Sequence, residues 1–293
     1  MGIFSVFKAQ KAYKLQSKNL TDPEAQRLYE EAISEGLTDM RFLLAYSTLL
    51  VRSGQYEKGK EFLIRIQKYQ MSPDQKNTLF INYAACCLQL GETEKGIRLL
   101  ERQHQHNPSG KVYQTLGVLY VEKFAKENEP DFDAIDAENA AAREKAKQEK
   151  AAETEEEAPA EGSAQPAEEE PLIPAREKWE SDREKALAFE KEAVDYDDED
   201  PVCLDNLGQF YYRCLGDRVE ARKWFDRAIK EKDTQIDTLW FLSRYDLEAG
   251  DTAKAIERLE KAAEGRPSPL NYASRDRIRE ELARLGANPS QED

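Results

Sequence analysis

Apolar residues recur along this chain with the period of an α-helix, and the helical stretches come in pairs. Ile236–Pro267 sets the frame. Leu239 and Leu242 mark a first helix, Gly250 a turn, Ala255, Leu259 and Ala262 a second helix, and Pro267 its end, in a unit of about 34 residues. The same spacing returns from Met40 (Leu43, Tyr46, Ser47, Gly54, Gly59, Leu63), from Asn77 (Phe80, Tyr83, Ala84, Gly91, Gly96, Leu100) and from Pro201 (Leu204, Leu207, Gly208, Tyr211). The frame at Pro201 slips by one residue before Ala221, Phe225 and Ala228. No alternating run of β-branched residues lies between glycine turns, so the pattern predicts an all-α chain.

Crowding accounts for the small residues. Ala84, Gly208 and Ser243 are expected to face Gly96, Ala221 and Ala255 where paired helices cross. Large apolar side chains then fill the space around each crossing. Glycine after the first helix can take a positive φ and end it, and proline after the second stops its continuation.

One unit is split. Gly110 opens a first helix through Tyr113, Leu116, Gly117 and Tyr120, but its matching second helix appears only at Glu184–Ala193. Frames at 110 and 201 lie 91 residues apart, about 57 more than one repeat of ~34 residues needs. The division read from this is residues 1–125 as N-terminal repeats, 126–180 as an acidic low-complexity insertion within the third full repeat, and 181–293 as C-terminal repeats. The whole makes one continuous solenoid. Within the insertion, Asp133–Glu157 reads as a marginal solvated helix. Ala158–Pro174, almost without large apolar side chains, reads as disordered.

The ends differ from the middle. Ala25, Tyr29 and Ala32 make a second helix introduced by Thr21-Asp22-Pro23 as cap and first-turn proline. Before it, Ile3, Phe4, Val6 and Phe7 are followed by Lys8, Lys11, Lys14 and Lys18. That segment is expected to dock its aromatics on Tyr29 and Ile33; the alternative is peripheral contact of residues 1–18 with an anionic membrane. Ser274–Leu285 reads as a capping helix with a polar outer face.

Leu207-Gly208-x2-Tyr211 and Ala221-x3-Phe225-x2-Ala228 resemble the tetratricopeptide repeat (TPR) family, and the overall look is similar to bacterial cytosolic members of it. The resemblance implies a right-handed α-solenoid of antiparallel helix pairs. It also implies a non-enzymatic scaffold whose concave groove, lined by the first helices, holds a protein or peptide segment. The alternative is a peptide or small-molecule sensor that changes curvature on binding. The family's carboxylate clamp is only partly matched: Asn82 and Lys111 fit, whereas Leu44, Thr48 and Thr115 replace its polar and basic residues.

Charge and chemistry add little to this picture. The net charge is −15, and residues 127–170 alone carry 16 acidic against four basic side chains, so the acidity belongs to the insertion. The insertion reads as a tolerated surface loop, a lure for a basic partner, or a tail competing for the groove. Cys86 and Cys87 are neighbours. Cys203 and Cys214 lie about 16 Å apart along a helix, too far to bridge, so reduced thiols and a cytoplasmic location are expected. No apolar run reaches the ~20 residues a membrane span needs. His104-x-His106 lacks further ligands, Asp195–Asp200 lacks an EF-hand pattern, and no nucleotide, hydrolase or metalloprotease motif occurs. No metal, cofactor or nucleic acid is therefore expected.

The binding surface is expected on the final two repeats. Gln209, Tyr212, Arg213, Trp240 and Arg244 stand at groove positions there, with Lys111 and Gln114 at the groove positions of the split repeat. Aromatics beside arginines are what binding hot spots favour. The competing expectation for Trp240 is packing on the capping helix.

Overall fold

The computed structural model describes residues 3–156 and 173–287. Helix α1 (Ile3–Gln16) pairs with α2 (Pro23–Ser34), α3 (Met40–Arg52) with α4 (Tyr56–Ile66), and α5 (Pro73–Gln89) with α6 (Thr93–His106). Helix α7 (Gly110–Phe124) is followed by α8 (Phe132–Glu156), and packs instead on α9 (Ala175–Tyr196). Helix α10 (Pro201–Gln209) pairs with α11 (Arg218–Glu231) and α12 (Ile236–Glu248) with α13 (Thr252–Ala263), and α14 (Arg275–Arg284) closes the stack. Every described regular element is helical, and the whole is an all-α solenoid. First helices pack on one another, α1 on α3, α3 on α5, α5 on α7 and α7 on α10, and form the inner layer.

Local chemistry sets the boundaries. Asp22 accepts from the Ala25 N–H at 2.9 Å with Pro23 in the first turn of α2, as the sequence predicts. Asp200 takes the N–H groups of Val202 and Cys203 at the head of α10. Gly91 and Gly250 end their helices at φ 71° and 80°, a region costly to side chains with a Cβ.

Crossings are as tight as the small residues suggest. A Cβ on Gly96 would stand 3.4 Å from Ala84 Cα. At Gly208 the nearest neighbour is a large residue rather than the expected Ala221: a Cβ there would meet the Phe225 ring. The one-residue slip before Ala221 has a concrete form. Phe210–Leu215 is π-helical, and this wider turn absorbs the extra residue before Gly216 and α11.

The split repeat is rejoined in space. Tyr113 on α7 stacks on Phe189 of α9 with centroids 5.3 Å apart and donates to Glu192 at 2.7 Å. His104 is lodged edge-on against both rings, with Nε2 3.6 Å from Glu192. Helix α9 begins at Ala175, inside the segment that composition sets apart, and Trp179 rests on Phe124 at 4.7 Å and on Phe132 at 6.1 Å. Of the stretch Ala158–Pro174 expected to be disordered, all but Ile173 and Pro174 lies outside the described residues.

The N-terminal helix overturns one expectation. It does dock on α2, but through Ala9, Ala12 and Gln16, while Phe4 and Phe7 are 79% and 64% exposed. Small residues allow the close approach, and Tyr29 donates to Gln16 at 2.9 Å rather than meeting an aromatic of α1. No described helix is long and apolar enough to cross a membrane.

Candidate functional site

The inner layer encloses a concave groove, and one segment of the chain lies in it. The connection between α13 and α14, residues 264–274, is much longer than the turn 249–251 that joins α12 to α13. It folds back across the groove and divides it into a hollow of about 770 Å³ and another of about 450 Å³, both bordered by Val118, Leu270 and Asn271.

Side chains from both halves of the chain hold this strap. Arg52 Nη1, on α3, donates to the Pro267 carbonyl at 2.7 Å, and Gln89 Nε2, on α5, donates to the Pro269 carbonyl at 2.6 Å. Leu270 packs partly buried against the core of the first repeats. Asp237, in the first turn of α12, accepts from Asn271 Nδ2 at 2.9 Å, the Tyr272 N–H at 3.1 Å and the Ala273 N–H at 2.9 Å. The Tyr272 ring stacks on Phe241 with centroids 5.2 Å apart. Guanidinium groups of Arg213 and Arg277 lie 4.1 and 4.2 Å from that ring's centre.

The groove floor is strongly polar. Arg213, only 6% exposed at its side chain, donates to Glu122 on α7 and to Glu127 in the 3-10 turn Lys126–Asn128. Burial pulls the Arg213 guanidinium down, but the two carboxylates outweigh it and leave it raised. Asp205, on α10, accepts from Thr238 at 2.6 Å and from Gln209 at 2.7 Å. Burial, with the charge of Asp237 adding, pushes Asp205 up to about 8. Burial also raises Asp237, although the three strap donors act in the opposite direction.

The sequence-selected residues separate into three groups. Gln209, Tyr212 and Arg213 line the larger hollow and Gln114 lines the smaller, where it donates to Asp200 at 2.5 Å. Lys111 is exposed and borders neither. Trp240 and Arg244 also border neither. Trp240 is 8% exposed in a cluster with Ile278 and Leu282 of α14, and Arg244 lies 4.2 Å over its ring and donates to Glu281 of α14 at 2.5 Å. Packing on the capping helix is therefore what the structure shows for Trp240, and this removes both residues from the groove floor. Asn82, which fits the family clamp, is buried and donates to Ser47 and Thr48.

Arg52, Gln89 and Asp237 fall at groove positions of the family pattern, but nothing in the sequence marks them as holding a strap. Tyr272 was not expected in the groove, because it lies in a connector with two prolines and two serines. The available signal was length: an eleven-residue connection is out of place among short turns.

No family model and no curated protein matches the chain. Among solved structures, a thermophilic TPR protein from Thermus thermophilus superposes with a TM-score of 0.54 at 18% identity, over 84% of this chain and 98% of that one. Human IFIT1, solved as a dimer with PPP-AAAA, gives 0.55 at 16% identity over 96% of this chain. The match spans 54% of that protein. These likenesses establish the fold as a TPR-type solenoid.

Proposed function

We propose that this TPR-type solenoid is a non-enzymatic scaffold that holds a peptide or protein segment in its concave groove. The observation that carries the reading is the groove itself: a hollow of about 770 Å³ where Val118, Val121, Gln209, Tyr212 and Phe241 present apolar and hydrogen-bonding surface together. Such a mixture suits a polypeptide, which offers both backbone groups and apolar side chains. Charge there is mixed, with Glu122 and Glu127 beside Lys126, Arg213 and Arg277 in the larger hollow and Asp205 and Asp237 beside Arg52, Lys232 and Arg266 in the smaller, which suits a polypeptide carrying both signs. All four cysteines are free and buried, which supports a reducing compartment such as the cytoplasm.

The test is selection of binders from a displayed random-peptide library, followed by rebinding to Val118→Arg. Val118 is half-buried and borders both hollows, so the variant blocks the groove with little disturbance of the core. Loss of at least about tenfold in affinity, with an unchanged melting temperature, supports the groove. Equal binding by both proteins overturns it.

A second reading, a sensor that changes curvature, is favoured by one observation. Arg52 and Gln89 tie the first two full repeats to the strap that follows the last repeat. Breaking these bonds would free the two ends of the solenoid to move apart, and the radius of gyration by small-angle X-ray scattering would rise on ligand binding. An unchanged radius at saturation excludes this reading.

A further inference from the structure

The strap is held the way a ligand is held. Four of its main-chain groups end on side chains of the inner layer: the Pro267 and Pro269 carbonyls on Arg52 and Gln89, and the Tyr272 and Ala273 N–H groups on Asp237. Main-chain groups are common to every peptide, so this part of the contact supplies affinity without fixing sequence. Three side chains supply the rest. Leu270 meets the core of the first repeats, Asn271 reaches Asp237 and closes a turn by accepting the Ser268 N–H at 2.6 Å, and Tyr272 enters the slot formed by Phe241, Arg213 and Arg277.

The strap also leaves much of the groove open. Hollows of about 770 and 450 Å³ remain on its two sides. A longer segment can therefore bury surface that the strap does not. The capping helix has its own attachment, since Arg244 pairs with Glu281 and Ile278 and Leu282 enter the core around Trp240. The strap can leave while α14 stays.

We propose that Ser268–Tyr272 is a built-in stand-in for the partner, which is a non-helical peptide segment carrying an apolar residue, an asparagine and an aromatic residue in succession, and which binds by displacing the strap from Asp237 and the Tyr272 slot. The proposal rests on the groove reading above. A tethered occupant acts at an effective concentration on the order of millimolar. The partner consequently meets a groove that is only fractionally open, and its apparent affinity falls by that fraction.

The experiment compares wild type with a full-length variant in which Pro267–Tyr272 is replaced by alternating glycine and serine. The probe is a fluorescent peptide with the sequence of residues 265–274, beside a scrambled control. Binding to the strap-replaced protein at least about tenfold tighter than to wild type is expected, with a similar loss when the peptide's tyrosine is changed to alanine. No binding to a folded strap-replaced protein, or equal binding to both proteins, overturns the proposal.

If the replacement does not melt cooperatively, the double variant Arg52→Ala and Gln89→Ala removes two tethers and leaves Asp237 intact. Amide hydrogen exchange then reads the strap directly. Protection of the Tyr272 and Ala273 amides in wild type, lost in the double variant, supports the proposal; unprotected amides in wild type overturn it. Library peptides that bind wild type and strap-replaced protein equally, yet lose affinity for Val118→Arg, remove the stand-in role and leave the groove reading. Library peptides indifferent to Val118→Arg remove the groove reading itself.

Discussion

Gly208 lies against the ring of Phe225: a Cβ on Gly208 would stand 2.7 Å from Cε1 and 2.8 Å from Cδ1. Phe225 is fully buried and stacks on Phe241 at 5.1 Å, so it has nowhere to retreat. Gly208→Ala is therefore expected to destabilise the fold by ~1–3 kcal/mol, and Gly208→Leu by more. Urea unfolding monitored by circular dichroism measures this. An unchanged midpoint would mean that α10 and α11 do not cross here.

Two parts of the acidic insertion should respond differently. Phe132 is buried, Asp136 accepts from the Ala175 N–H at 2.8 Å, and Trp179 lies on Phe124. Excising residues 139–172 spares all three and should leave the melting temperature within about 2 °C of wild type, since a repeat is stabilised mainly by its neighbours. Trp179→Ala should lower stability by ~1–3 kcal/mol, less than the ~3–5 kcal/mol of a fully buried tryptophan. A large loss on excision, or none on the tryptophan change, would place the root of the insertion elsewhere.

Trp240 should behave as a core residue. Its burial against the α14 cluster predicts a loss of ~3–5 kcal/mol for Trp240→Ala. Limited proteolysis should then cut first in residues 264–287, as the cap detaches. A variant with wild-type stability and protease resistance would return Trp240 to the candidates for partner contact.

Asp205 makes a contribution of defined sign to the pH dependence of stability. Its folded value of about 8 lies above the ~3.9 of an unfolded aspartate, so folding takes up a proton between these limits. The stability this group supports is complete below about pH 4 and falls as pH rises to about 8. Asp205→Asn cannot ionise and still offers a hydrogen-bonding group to Thr238 and Gln209. Its melting temperature relative to wild type should therefore rise from pH 5 to pH 9. A constant difference across that range would show that Asp205 is not protonated in the native protein.

Repeat spacing made the helices legible because each pair is defined by local crowding. Met40, Gly110, Pro201 and Ile236 were placed at helix starts, and even the slip before Ala221 left its trace. Exceptions fall where a tertiary partner overrides the pattern. Glu190 occupies a helix position that calls for a large apolar residue, yet it is fully buried beside Gly117, and burial raises it well above an ordinary carboxyl. Phe4 and Phe7 look like core residues from sequence and face outward, because Ala9 and Ala12 already supply the contact face of α1. Gln209, Tyr212 and Arg213, chosen for their positions in the repeat, line the larger hollow. The strap beside them was not legible, because nothing local in Pro267–Tyr272 indicates that the chain reverses into the inner layer.

The tethers also impose an order in time. Arg52 and Gln89 are synthesised long before Pro267 and Pro269, and Gln89 and its acceptor are 180 positions apart. At ~5–20 residues per second that interval is on the order of ten to forty seconds. Neighbouring repeats can fold as they emerge, because their contacts are local. The first repeats can accordingly stand complete with Arg52 and Gln89 unengaged, and the groove closes only once Asp237, Phe241 and the strap have followed.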